Sequence, residues 1–481
     1  MPSLRRAALI AGIAQYVVYI LAFVQVVIVS RILTPGEIGT YLVASSLVVL
    51  AAVPRNLGIM EYIVAVDELT EDVLRSSFTL LLGVGVLMTG AYVLGAGAAA
   101  AWFDAPELAE IIPVMAASFL VLAFGIIGQG RMRREMQFGR LAIIRVAGSL
   151  TGLAISLSLV LLGYGIAGMA WGFLAANIVT TATVVMMAPD VAVLRPGTKG
   201  IGKILNFGSV TAAGTFLMNL GDLGPQLLLG RVSTMSNVGF FGRAQTLITF
   251  LREGTEAAMN PVIQPWFARM AREKDSDLQG SFLRVMNIVS ALTWPAFTFL
   301  YFQVDFLIPF LLGEVWSASV PAAQALAIGG MFSPYASYTA GVLAGLGQVR
   351  LRLGFVALAQ IARFSLLAAV VGFGLLAFAW GVTAAHVIGF ALAAWALHRA
   401  LGLRPLALLA SLKHSLGLAV LVALANLAAG LIFADSPAGW ADFATATLFS
   451  GIVWIGALAW LRHEFFTQML SVLSNIRKQR A

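Results

Sequence analysis

Long apolar runs recur along the whole chain, separated by short polar connections. Each run is close to the ~20 residues that a helix needs to cross a bilayer. On that ruler, helical spans are predicted at 9–30, 39–60, 76–100, 111–130, 141–162, 166–187, 206–229, 238–263, 283–303, 320–345, 353–375, 380–398, 413–433 and 441–461. The pattern is that of an all-α membrane protein with about fourteen transmembrane helices. The first run follows Arg5-Arg6, as a signal core would. It continues to Val29, beyond the ~7–15 residues of such a core, and lacks a small-x-small cleavage site before the next segment, so it reads as the first span.

The connections alternate in charge. Those at 131–140, 195–203, 267–282, 346–352 and 399–412 are basic, whereas 101–110, 163–165, 304–319, 376–379 and 434–440 are nearly free of Lys and Arg. If Arg5 and Arg6 are cytoplasmic, all but six of the 30 Lys and Arg lie on or near the inner side. Of those six, Arg31 and Arg231 are in outer loops, while Arg145, Arg243, Arg252 and Arg363 lie within spans. This bias places both termini in the cytoplasm. A net charge of +8 would suggest nucleic acid in a soluble chain; here it reports orientation, and no nucleic-acid partner is expected. The composition agrees, with 60% hydrophobic and only 11% charged residues, too few charges to cover a soluble surface. Zero cysteines exclude disulfides, thiolate metal sites and a Cys nucleophile.

A repeat organises the spans. Arg31-Ile-Leu-Thr-Pro-Gly-Glu-Ile-Gly-Thr-Tyr41 returns 200 residues later as Arg231-Val-Ser-Thr-Met-Ser-Asn-Val-Gly-Phe-Phe241. Arg, Thr and Gly match, and both copies join one long apolar segment to the next. An even number of spans separates the copies, so the halves point the same way through the membrane. Such duplication is the mark of a transporter built from two related bundles around a cavity. The predicted lobes are 1–190 and 200–400, followed by an appended helix pair at 410–465 and a cytoplasmic tail at 466–481.

The eighth span carries the densest polar stripe: Gln245, Thr249, Arg252, Glu256 and Asn260 share one helical face, with Glu253 at its flank. The seventh span has a companion stripe of Thr211, Thr215, Asn219, Asp222 and Gln226. Arg363 lies near the centre of the eleventh, one turn after Gln360. An Arg or Asp at a helix centre costs about 2.5–3.5 kcal/mol on insertion scales. Facing lipid, Asp222, Arg252, Glu253, Glu256 and Arg363 would together cost on the order of 15 kcal/mol, rivalling the ~5–15 kcal/mol stability of a typical domain. They are expected to face water, one another or a ligand. Arg252 and Glu256 could simply pair along their helix, but Asp222 and Arg363 have no ionisable neighbour on theirs, and a wet central cavity accounts for all of them. His386 reads as packing or a proton relay; Tyr335 and Tyr338 read as interhelical contacts or a sugar path. No metal-ligand spacing, Gly-rich nucleotide loop or catalytic constellation appears, so neither a cofactor, a metal nor an enzymatic activity is expected.

Four ordered motifs carry a family resemblance. They are Arg31–Tyr41; Arg133-Arg134-Glu135-Met136-Gln137-Phe138; Asp222 with Gly230, Gly239 and Arg243-Ala244; and Leu312-Gly313-Glu314-Val315-Trp316. Together the chain resembles polysaccharide transporters of the Wzx type, in the superfamily that also holds multidrug (MATE) exporters and the lipid II flippase. It departs from related chains at Asn56-Leu57-Gly58, where they often carry an acid before the Leu-Gly. The resemblance implies a two-lobed flippase of the bacterial inner membrane. Its cargo would be an undecaprenyl-diphosphate-linked oligosaccharide for lipopolysaccharide or exopolysaccharide synthesis, moved from the cytoplasmic to the periplasmic leaflet by alternating access. An H+ or Na+ gradient would drive it, alongside other polysaccharide-assembly proteins. Arg252 and Arg363, with Gln245, Thr249 and Asn219, become candidates for the pyrophosphate and sugars, because a guanidinium fork suits phosphate oxygens. Asp222, Glu253 and Glu256 become candidates for ion coupling. The competing expectation is a MATE-like small-molecule exporter, in which the acids would bind a cationic cargo.

Overall fold

The computed structural model describes residues 4–189, 195–273, 277–432, 439–461 and 465, with the side chains at 4–9, 11, 54–55, 210–211 and 256–273 outside that description. The described residues form helices and connections, with no strand. In chain order the helices are α1 (Leu4–Ile32), α2 (Pro35–Asn56), α3 (Ile59–Ala65), α4 (Glu71–Phe103), α5 (Leu108–Ala116), α6 (Ser118–Ala123), α7 (Ile126–Arg134), α8 (Phe138–Leu159) and α9 (Gly165–Met187). They continue as α10 (Ile201–Val232), α11 (Met235–Glu273), α12 (Leu278–Leu312), α13 (Val320–Gly345), α14 (Val349–Val370), α15 (Leu375–Leu401), α16 (Pro405–Ser411), α17 (Lys413–Ile432) and α18 (Trp440–Trp460).

The predicted spans lie largely in helical stretches, but 39–60 crosses the break between α2 and α3, 111–130 is divided among α5, α6 and α7, and residue 433 lies outside the described residues. Among the described residues, ten stretches are long and apolar enough to cross a membrane, or eleven if Leu108–Ala123 and Ile126–Arg134, bent by 49°, form one span. One of the ten, Phe138–Met187, holds both α8 and α9, which part at Gly163, where φ is +89° and a side chain would be strained. α10 and α11 are long enough but are not among the ten, because Asn219, Asp222 and Gln226 on one, and Gln245, Arg252 and Glu253 on the other, dilute their apolar character. Outward-facing apolar side chains such as Leu94, Leu161, Leu431 and Trp460 are largely exposed, which only lipid can accommodate at this density.

The chain divides into two compact units, Met1–Gly242 and Arg243–Ala481. The first gathers α1–α10 and the opening turns of α11. Helix α10, predicted to begin the second half, packs on α2 there, where the buried Ser46 hydroxyl donates to Gln226 Oε1 at 3.0 Å. Each matched position of the sequence repeat has a physical role. Arg31 and Arg231 sit in the last turns of α1 and α10, where a cation complements the helix dipole. The Arg231 guanidinium also lies 4.7 Å from the centre of the Trp102 ring. Thr34 and Glu37 form a capping box at the start of α2. The Glu37 carboxylate accepts from the Thr34 amide and hydroxyl at 2.8 Å, and the Glu37 amide donates back to Thr34 Oγ1 at 3.3 Å. Thr234 does the same work for α11, accepting from the Asn237 amide at 3.2 Å.

The two copies also meet. A Cβ on Gly39 would overlap the Met235 carbonyl oxygen, and one on Gly239 would overlap that of Pro35. These are equivalent contacts with the copies exchanged. On the line between them Gly36 faces Ser236 and Gly242 faces Leu42, each residue meeting its own counterpart. Self-pairing at successive turns requires the two segments to run in parallel about a local two-fold axis along their length. This is the arrangement that a parallel repeat demands.

The second unit is built around α12. Its core holds Phe282, Trp294, Tyr335, Tyr338, Phe390 and Leu397. Tyr335 and Tyr338 are buried in this core, with the Tyr335 ring edge-on to Phe390 at 4.9 Å. α13 and α15 pack closely, the Thr383 hydroxyl donating to the Ala325 carbonyl at 2.6 Å. The last two helices are tied to this unit by polar contacts that pay their way in an apolar medium. Ser290 and Ser415 hydroxyls lie 2.6 Å apart, Gln303 donates to Asn426 at 2.8 Å, Asn426 donates to Ser450 at 2.9 Å, and the Trp454 indole donates to the Ala291 carbonyl at 3.0 Å.

Candidate functional site

Within the second unit, α11 presents Gln245, Thr249, Arg252 and Glu253, all half-buried, in the order that the 3.6-residue period predicts. The side chains of Glu256 and Asn260 lie outside the described residues. Arg363 and Gln360 are half-buried on α14. His386, on α15, lies within the range over which the Arg363 and Arg252 charges act on its ring. The His386 Nδ1 is shielded and has no hydrogen-bond partner among the described residues, and the same holds for Gln360 Oε1. α15 is pressed against α13 here, so that a Cβ on Gly329 would sit 3.1 Å from that Nδ1. α11 and the consecutive helices α14 and α15 thus bring two permanent cations and an imidazole into one neighbourhood. The sequence singled out both arginines but did not join them to His386.

The remaining predicted residues fall in the first unit. Asp222 is exposed and Asn219 half-exposed on α10, while Gln226 on the same helix is buried against Ser46. Arg243, the in-span cation at the opening of the second unit, is buried with its guanidinium 5.6 Å from the centre of the Trp316 ring.

A second polar site escaped the sequence reading. A cavity of about 530 Å³ in the first unit is lined by Glu61, Arg133 and Arg145 together with apolar side chains of α1, α3 and α8. Its signal was present in Arg145, seven residues into an apolar helix, but Arg133 lies in a connection already expected to be basic. Among the described residues no group of three or more His, Cys, Asp or Glu is placed to hold a metal ion.

The chain is similar to the lipopolysaccharide biosynthesis protein WzxC of Escherichia coli (strain K12), with 22% identity over 357 residues, 72% of this chain and 70% of that protein. It is 24% identical over 335 residues to the succinoglycan biosynthesis transport protein ExoT of Rhizobium meliloti (strain 1021), covering 68% of this chain and 66% of that protein. In fold it is similar to the lipid II flippase MurJ in an inward closed conformation, with a TM-score of 0.78 at 12% identity over 94% of this chain and 99% of that one. Residues 28–321, more than half the chain, match the family described as polysaccharide biosynthesis protein. The chain is a multi-pass membrane protein that belongs to the polysaccharide biosynthesis protein family.

Proposed function

We propose that this protein is a flippase that moves a polyprenyl-diphosphate-linked oligosaccharide from the cytoplasmic to the periplasmic leaflet of a bacterial inner membrane, with both of its termini in the cytoplasm. The observation that carries the reading is the approach of Arg252 and Arg363, from two helices of the second unit, to one shielded ring. Two fixed cations inside apolar helices offer an anionic cargo a charge to bind. A diphosphate brings at least two negative charges, and guanidinium forks bind its oxygens through paired, charge-assisted hydrogen bonds. Gln245, Thr249 and Asn219 supply neutral groups for sugar hydroxyls. Asp222, Glu253 and Glu256 are the carboxylates available to carry a coupling proton or sodium ion. Family membership and the names of the relatives support the substrate class. The protein transports its cargo and leaves the covalent steps to other members of the assembly pathway.

The reading is tested by complementation of a strain that lacks this protein. Arg252→Ala and Arg363→Ala should each lower surface glycan by about tenfold or more at unchanged membrane abundance, the scale of a lost charge-assisted contact. The Lys variants should recover part of the loss, since Lys keeps the charge but not the fork. Full export from both Ala variants would remove the two arginines from the site.

A further inference from the structure

We infer that the cavity between α1, α3, α7 and α8 binds the phosphate-bearing headgroup of a lipid, held by Arg133 and Arg145. At about 530 Å³ the cavity has the size of a small-ligand site. Three charged side chains, Glu61, Arg133 and Arg145, line it, and all three are exposed. Their neighbours in the same basic stretch have structural employment: Arg131 pairs with Glu135 at 2.7 Å, and Arg134 donates to the carbonyls of Ile63, Val66 and Asp67 at the end of α3. Arg133 has no such partner among the described residues. Arg145 donates to a neutral group, Gln15 Oε1, at 2.9 Å, and forms no ion pair with a described carboxylate.

The two arginines are near enough for their charges to act on each other. Like charges facing one partly apolar space repel unless an anion sits between them. The anion is placed by depth. Arg145 lies seven residues into α8, roughly 10 Å below the start of the helix at 1.5 Å per residue. Met60, Val64, Leu141 and Ala142 complete the walls. A free aqueous phosphate gains nothing from such walls, whereas a lipid phosphate brings its own apolar neck. Glu61 limits the net charge of the empty cavity and opposes the anion. That the lipid is the cargo, taken up at the cytoplasmic face of the first unit, rests on the function proposed above; the binding chemistry does not.

The test is lipid binding to the purified full chain in phosphatidylcholine nanodiscs, read by native mass spectrometry with polyprenyl diphosphate, phosphatidylglycerol and inorganic pyrophosphate as probes. The unaltered protein should bind polyprenyl diphosphate and hold inorganic pyrophosphate far more weakly. Arg133→Ala and Arg145→Ala should each weaken the lipid by about tenfold, and Arg145→Lys by less. Glu61→Gln should tighten it, an outcome that a merely structural trio would not give and that survives if an Arg variant fails to fold. Equal binding of phosphatidylglycerol would assign the site to anionic lipids in general, with the same ligands. Unchanged affinity in the Arg133→Ala/Arg145→Ala double variant, beside a loss in Arg252→Ala/Arg363→Ala, would overturn this inference alone. Failure of the unaltered protein to bind either lipid would overturn it, whereas binding of phosphatidylglycerol without polyprenyl diphosphate would keep the site and sink the proposed function.

Discussion

Arg252, Arg363 and His386 sit on α11, α14 and α15, and only the two arginines carry a permanent charge. If charge is what the cargo reads, His386→Leu should reduce export less than either Arg→Ala variant at equal membrane abundance. A larger loss for His386→Leu, measured as surface glycan in the same complementation strain, would transfer the main role to the imidazole. The arginines were legible in the sequence because a guanidinium inside an apolar run is expensive wherever it points. Arg145 gave the same signal, yet its meaning depended on Arg133, whose place in a basic stretch the expected positive-inside bias already accounted for. His386 was ambiguous for a different reason. One imidazole on an apolar helix says nothing about which other helices approach it, and tertiary packing alone decides that.

At the level of elements, the repeat was readable from its matched Arg, Thr and Gly, but their work was not. Thr34 and Thr234 cap helices, a role that the Thr-x-x-Glu spacing of the first copy encodes locally. Gly39 and Gly239 admit the backbone of the opposite copy, which no local pattern reveals. Two substitutions one turn apart should therefore act in opposite directions. Gly39→Ala places a methyl group on the Met235 carbonyl and should destabilise by about 1–3 kcal/mol. Gly36→Ala meets only Ser236 Oγ at 3.5 Å, an ordinary contact, and should be neutral or stabilise by about 0.4–1 kcal/mol through the unfolded chain. Thermal melting of the purified variants checks the pair; equal melting temperatures would contradict the close approach of the two copies. The short helices α3, α6, α7 and α16 were not anticipated, since a span ruler of about 20 residues smooths over such breaks.

For the whole molecule, the alternation of basic and charge-poor connections, the two parallel copies of one motif and a MurJ-like fold support the transport function proposed above. If the protein works by alternating access, the cargo must bind its two orientations with different affinity. On the function and the lipid site proposed above, Arg252 and Arg363 in the second unit, and Arg133 and Arg145 in the first, are the cations assigned to that task. Translocation itself is the central claim. It is measured most directly in proteoliposomes carrying a fluorescent polyprenyl-diphosphate-linked oligosaccharide in both leaflets, with a membrane-impermeant reductant added outside. With the unaltered protein, quenching should proceed beyond the outer-leaflet share toward completion, while Arg252→Ala/Arg363→Ala proteoliposomes should stop at that share. Quenching that stops at the outer-leaflet share with the unaltered protein, under every imposed H+ and Na+ gradient, would contradict the flippase assignment.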